Sequence, residues 1–279
     1  MTIDNPIQID VYDKGSGPAL VLLHGMGGTW HIWKPVIALL GTRYRIIAPT
    51  LPGHCNGPAL PAQSEATVAN MAEALIAMLR ARGVESAHVV GNSLGGWLAL
   101  ELARRGFARS VVALSPAGAW NTPKDYRKIA LRFRIVFFLL PLLIALTTMF
   151  LGSAWLRKIL GGHSMERGDL VPEGEFRQML QGMNKATILP ELLKTMGRDG
   201  PIAPMTAGAV PVCIAWGELD QVIPFEQYGR PMLERVNGAE RVTVPGVGHV
   251  PMYDDPQAVC AAILGVTSPL DDGQTGERL

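Results

Sequence analysis

Cysteine is scarce in this 279-residue chain: Cys55, Cys213 and Cys260 stand far apart, with no CxxC spacing and no histidine cluster beside them. Neither a disulfide framework nor a zinc site is indicated, and the three read as reduced thiols. Charge is scarce too, at 18% of residues, and it is balanced, with Lys+Arg 25 against Asp+Glu 24 and no basic stripe to neutralise a run of phosphates. Nucleic acid is therefore not an expected partner. The chain has no repeat and no low-complexity tract. It also lacks GxGxxG spacing and a phosphate loop closed by Lys-Ser/Thr, which argues against a nucleotide enzyme. The opening residues MTIDNPIQIDVYDKG have no basic region followed by an apolar stretch, so no export signal is read and a cytoplasmic protein is expected.

Apolar residues make up 48% of the chain, with 31 Gly and 21 Pro, which implies a large core joined by many sharp turns. Short apolar runs alternate with longer helical patterns, as in a mostly parallel sheet. Ile7–Tyr12 has the alternation of an edge strand. Ala19–Leu23, Arg45–Ala48, Ala87–Val90, Ser110–Leu114, Val212–Ala215 and Arg241–Val244 suit burial on both faces. Helices are expected over Trp30–Leu40, Thr67–Arg82 with Thr67 as N-cap, Leu94–Arg105, Phe225–Val236 and Pro256–Leu264. The expectation is an α/β fold with a sheet of about eight strands, its core formed by residues 1–119 and 211–266. Residues 120–210 show no convincing strand and read as an inserted helical cap, and the polar residues 267–279 read as a frayed tail.

The sharpest chemical signal is Gly91-Asn92-Ser93-Leu94-Gly95-Gly96, between a strand and a helix. A serine in such a turn takes strained backbone angles that lift its hydroxyl off the sheet, and side chains at 91 and 95 would collide. A weak hydroxyl nucleophile needs a base. His249, in a Gly-rich loop after the last strand, is the best placed of six histidines; His24, His31, His54, His88 and His163 are the alternatives. Asp220, at the end of VCIAWGELD, suits the carboxylate that orients the imidazole, with Glu218 as competitor. The loop His24-Gly25-Met26-Gly27-Gly28 offers the Met26 N–H to an oxyanion, and the Leu94 N–H is its expected companion.

Together HGMGGTWHIW, APTLPGH, GNSLGG, WGELDQVIP and GVGHVPMYDDP resemble the α/β-hydrolase fold superfamily over about Ile7 to Leu264. Thr50 and Cys55 depart from its usual loop, which has an acid near the first and a glycine near the second. The resemblance implies a Ser93-Asp220-His249 triad that needs no metal or organic cofactor. It also implies acyl chemistry, because the related haloalkane dehalogenases and soluble epoxide hydrolases carry an aspartate where Ser93 stands in GNSLGG, the family's nucleophile elbow. The expected reaction is hydrolysis of a small, mostly apolar ester. A C–C hydrolase of the meta-cleavage product type and a non-catalytic binding protein are the alternatives.

One segment stands apart. Ile135 to Leu156 carries no charged side chain, and about twenty apolar residues can span a bilayer. Pro141 and Gly161-Gly162 are expected to break it into short cap helices that line an acyl pocket. Contact of the cap with a lipid interface is a second expectation, since Arg132, Arg134, Arg157 and Lys158 flank the run.

Overall fold

A computed structural model describes residues 9–208 and 210–275, with side chains through Asp271. Nine strands are described: β1 (Val11–Lys14), β2 (Ala19–Leu23), β3 (Arg45–Pro49), β4 (Ala87–Asn92), β5 (Ala108–Leu114), β6 (Met205–Thr206), β7 (Val212–Gly217), β8 (Val236–Asn237) and β9 (Glu240–Val244). Seven of them form one sheet in the order β1-β3-β2-β4-β5-β7-β9, with only β1 antiparallel to its neighbour. The sheet thus has seven strands among the described residues where about eight were expected. β6 and β8 pair separately as a two-residue ribbon, and β6 is a strand that the reading of 120–210 did not anticipate. Of the expected first strand, Ile7 and Gln8 lie outside the described residues, and pairing starts at Val11.

The central strands are continuous apolar runs because both of their faces are covered. Successive side chains alternate between the layers. Val21, Val89 and Val111 meet α2 (Val68–Arg80) and α3 (Leu94–Arg104), while Leu20, Leu22 and Val90 meet α1 (Lys34–Leu40) and α9 (Pro256–Thr275). Thr67 caps α2 as expected, its hydroxyl accepting from the Asn70 N–H. The segment after Pro224 is divided into a π turn, Phe225–Gly229, and a short α8 (Arg230–Arg235).

Two expectations fail here. The tail is helical as far as it is described: α9 continues to Thr275, with Thr267 fully buried against the Tyr44 hydroxyl at 2.7 Å and Asp271 3.1 Å from His88 Nε2, and residues 276–279 lie outside the described residues. Pro141, likewise, does not break the cap. α4 (Pro123–Thr147) runs through it unbroken, started by a capping box between Thr122 and Asp125. α5 (Ala154–Gly161), α6 (Glu173–Asn184) and α7 (Leu189–Asp199) complete the cap.

Candidate active site

Strand β2 pairs with β3 on one side and β4 on the other, so the chain reverses direction across the sheet between β2 and β4. In an open parallel sheet the crevice at such a reversal, beyond the carboxyl ends of the strands, is where ligands bind. The loops that follow β2 and β4 meet at this point. A Cβ at Gly25, just after β2, would lie 3.2 Å from the Ser93 Cβ, just after β4.

Ser93 has φ +56° and ψ −116°, a left-handed conformation that costs a non-glycine residue free energy. The surrounding backbone enforces it. A Cβ at Gly91 would stand 2.0 Å from the Gly95 carbonyl oxygen, and one at Gly95 would stand 2.2 Å from that of Leu23. The serine is buried, directly before the first turn of α3, where N–H groups lack helical partners and the helix dipole favours negative charge.

Asp220 and His249 come together. His249 Nδ1 lies 2.7 Å from Asp220 Oδ2, both residues are buried, and Asp220 Oδ1 accepts from the N–H groups of Val222 and Ile223 at 2.9 Å each. Three bonds thus satisfy a carboxylate that would otherwise be costly to bury. Glu218 is exposed and its carboxylate accepts from the Gly246 N–H, so it shapes the turn and does not approach the imidazole. Asn92 Nδ2 donates to the Leu114 carbonyl and, at 2.8 Å, to the His249 carbonyl, which brings the histidine loop to the end of β4. Among the described hydrogen bonds none runs from Ser93 Oγ to His249 Nε2; catalytic contacts of this kind commonly tighten only when substrate is bound.

Met26 and Gly27 are the central pair of a turn closed by the Gly28 N–H on the Gly25 carbonyl, and Gly27 has φ +76°, which favours glycine at that corner. Among the described hydrogen bonds none uses the Met26 N–H. His24 holds the loop in place: its Nδ1 lies 2.7 Å from the Gly25 carbonyl and its Nε2 accepts from the Leu51 N–H at 2.8 Å. Burial, with His54 as a close neighbour, keeps the His24 imidazole neutral, well below its ordinary pKa. Thr50 replaces the usual acid of the next loop, but a carboxylate is present nonetheless. Asp10 accepts from the Thr50 hydroxyl at 2.7 Å and from the Trp30 indole at 2.8 Å.

The cap roofs this crevice. A Cβ at Gly27 would meet Phe137 of α4 and Met183 of α6 at 3.3 Å, and one at Gly182 would meet Thr29 at 2.8 Å. Asp254 ties the histidine loop to the cap, accepting from the N–H groups of Gly248, Glu166 and Arg167. Sequence reasoning missed Asn92, Asp254 and Met183 as parts of the site, and named His24 as an alternative base without its part in holding the loop. Asn92 and His24 stood inside motifs already singled out, whereas the cap contacts have no local signal.

Residues 20–262 match the model of the Alpha/beta hydrolase family, and the chain belongs to that family. An epoxide hydrolase, EphH, of Mycobacterium tuberculosis is 33% identical over 193 residues, 65% of this chain and 86% of that protein. The 2-hydroxy-6-oxo-6-phenylhexa-2,4-dienoate hydrolase of Burkholderia cepacia is 25% identical over 90% of this chain and 88% of its own length. Among solved structures, a thermophilic esterase from Thermogutta terrifontis superposes with a TM-score of 0.71 at 19% identity, covering 94% of each chain.

Proposed function

We propose that this hydrolase cleaves carboxylic esters of mostly apolar acids through an acyl-enzyme. The observation that carries the reading is a strained, buried Ser93 at the mouth of the crevice, with the Asp220–His249 pair tied to the same strand end by Asn92. Ser93 Oγ attacks the ester carbonyl carbon as His249 Nε2 takes its proton. The N–H groups of Met26 and Leu94 receive the oxyanion, and His249 passes the proton to the departing alcohol. Water then attacks the acyl-serine by the same route, releasing the acid and restoring Ser93. Asp220 keeps the His249 tautomer and stabilises the imidazolium.

The nature of the nucleophile separates this reading from epoxide opening. A serine alkoxide attacking an epoxide would leave an alkyl ether with no carbonyl for water to attack, so the enzyme would stop after one turnover. Acyl transfer regenerates the serine. The wall beside the oxyanion loop, Phe137 and Met183, is apolar, which suits an acyl chain better than the charged dienolate of a C–C hydrolase.

A fluorophosphonate should label the wild type and not Ser93→Ala, and the variant should lose several orders of magnitude in kcat/KM on p-nitrophenyl esters. Each methylene added to the acyl chain, up to the capacity of the pocket, contributes as much as about 0.8 kcal/mol, so two should raise kcat/KM by up to about fifteenfold. Labelling that persists in Ser93→Ala, or faster turnover of a vinylogous diketone or an epoxide than of any ester, refutes the proposal.

A further inference from the structure

The apolar run does not line a pocket over most of its length. Phe133, Phe137, Leu140 and Ile144 turn inward, but Phe138 is 83% exposed, Met149 88% and Trp155 72%, and Leu142, Leu146 and Phe150 are exposed with them. At 3.6 residues per turn the exposed positions cover more than half of the circumference of α4. A water-facing apolar surface of this extent marks an interaction site.

Charge identifies the partner. Residues 123–159 hold seven Lys/Arg against a single acid, Asp125, a formal +6, which leaves 18 Lys/Arg against 23 Asp/Glu, or −5, for the rest of the chain. Six of these cations, Lys124, Arg127, Lys128, Arg132, Arg134 and Lys158, are exposed, and among the described residues none of the six forms an ion pair. Lys124, Lys128 and Arg132 fall on the same side of α4 as Ile135, Leu139, Leu142 and Leu146, so the outward face is basic over its first turns and apolar beyond. Arg127 and Arg134 also line a cleft of about 610 Å³ together with Lys194 and Arg235, with no acid in its wall.

We infer that this face of the cap docks onto a bilayer containing anionic lipid, with α4 lying in the plane of the interface. The apolar side chains enter the acyl boundary and the cations meet phosphates, as in interfacial amphipathic helices. The helix does not cross, because both of its ends are fastened to the body of the protein. Asp125 accepts from Gln227 Nε2 and, through its backbone carbonyl, from the Tyr228 hydroxyl. At the far end Arg177 donates to the Thr148 carbonyl and Leu151 is buried. A second copy of the chain fits the face poorly, since an isologous pairing would set one +6 surface against another. Bilayer contact does not depend on the chemistry proposed for Ser93.

The test is flotation of the 279-residue chain with vesicles of phosphatidylcholine alone or mixed with phosphatidylglycerol in equal parts, with sedimentation velocity in the absence of lipid. The wild type and Ser93→Ala should float equally, and more with the anionic vesicles. Joint replacement of Phe138, Leu142 and Leu146 by serine should lower partitioning on the order of a hundredfold, and reversal of Lys124, Lys128 and Arg132 to glutamate by tenfold or more, on the anionic vesicles only. These positions are exposed, so both variants should keep the wild-type melting temperature. Equal binding to neutral and anionic vesicles overturns the inference. So does a lipid-free dimer that the serine variant dissociates, with no flotation of the wild type.

Discussion

At Asp220 a single carboxylate does two things: one oxygen receives His249 and the other receives two backbone N–H groups that fix its rotamer. Asp220→Asn preserves size and the possibility of both backbone bonds, but presents an amide to the imidazole and favours the wrong tautomer. It should lower kcat by about ten-thousandfold with the melting temperature little changed. Glu218→Gln, two residues earlier, removes only a charge from an exposed turn, so kcat/KM should stay within about twofold of wild type, because exposed contacts of this kind contribute little. Steady-state kinetics on one soluble ester checks both, and an exchange of the two phenotypes would reassign the acid.

Along α4, adjacent residues have opposite surroundings. Phe137 lies against Gly27 of the oxyanion loop, while Phe138 faces away from the protein. Phe137→Ala should therefore flatten the dependence of kcat/KM on acyl length, and Phe138→Ala should leave kinetics on soluble esters unchanged; a length series of p-nitrophenyl esters reads both. Equal effects would mean that α4 does not roof the site. At the other end of the chain, Thr267→Val removes one hydrogen-bond partner of the buried Tyr44 hydroxyl, beside which the Arg43 guanidinium remains, and should cost about 1 kcal/mol in urea unfolding. The sheet strands were readable because burial on both faces writes an uninterrupted apolar run between turn residues, and the elbow was readable because its glycines answer a local collision. α4 and the end of α9 were not. Pro141 stands exposed within an unbroken α4 with no local signal that it is tolerated there, and the polar run from Thr267 is ordered by Tyr44 and His88, far away in sequence.

For the whole molecule, acid should loosen the fold through histidines buried in the neutral form. His54 sits beside His24, ring centroids 5.2 Å apart, and burial pushes its pKa down to about 4 from an ordinary value near 6.5. His24 is lowered in the same direction, chiefly by burial and further by His54. Above about pH 6.5 both are neutral whether the chain is folded or not, and stability is complete. As the pH falls below that value the unfolded chain takes up protons that the folded one refuses, so stability declines with pH, and the share due to His54, about 3 kcal/mol, is gone near pH 4. Protonation of His24 would also remove the Nε2 lone pair that receives the Leu51 N–H, so the oxyanion loop is held by the same neutral ring. Urea midpoints at pH 7.5, about 5.5 and about 4 should fall in that order, and His54→Leu should reduce the slope. An equal slope in that variant would place the acid sensitivity elsewhere, and His88, buried and also lowered, is the next group to replace.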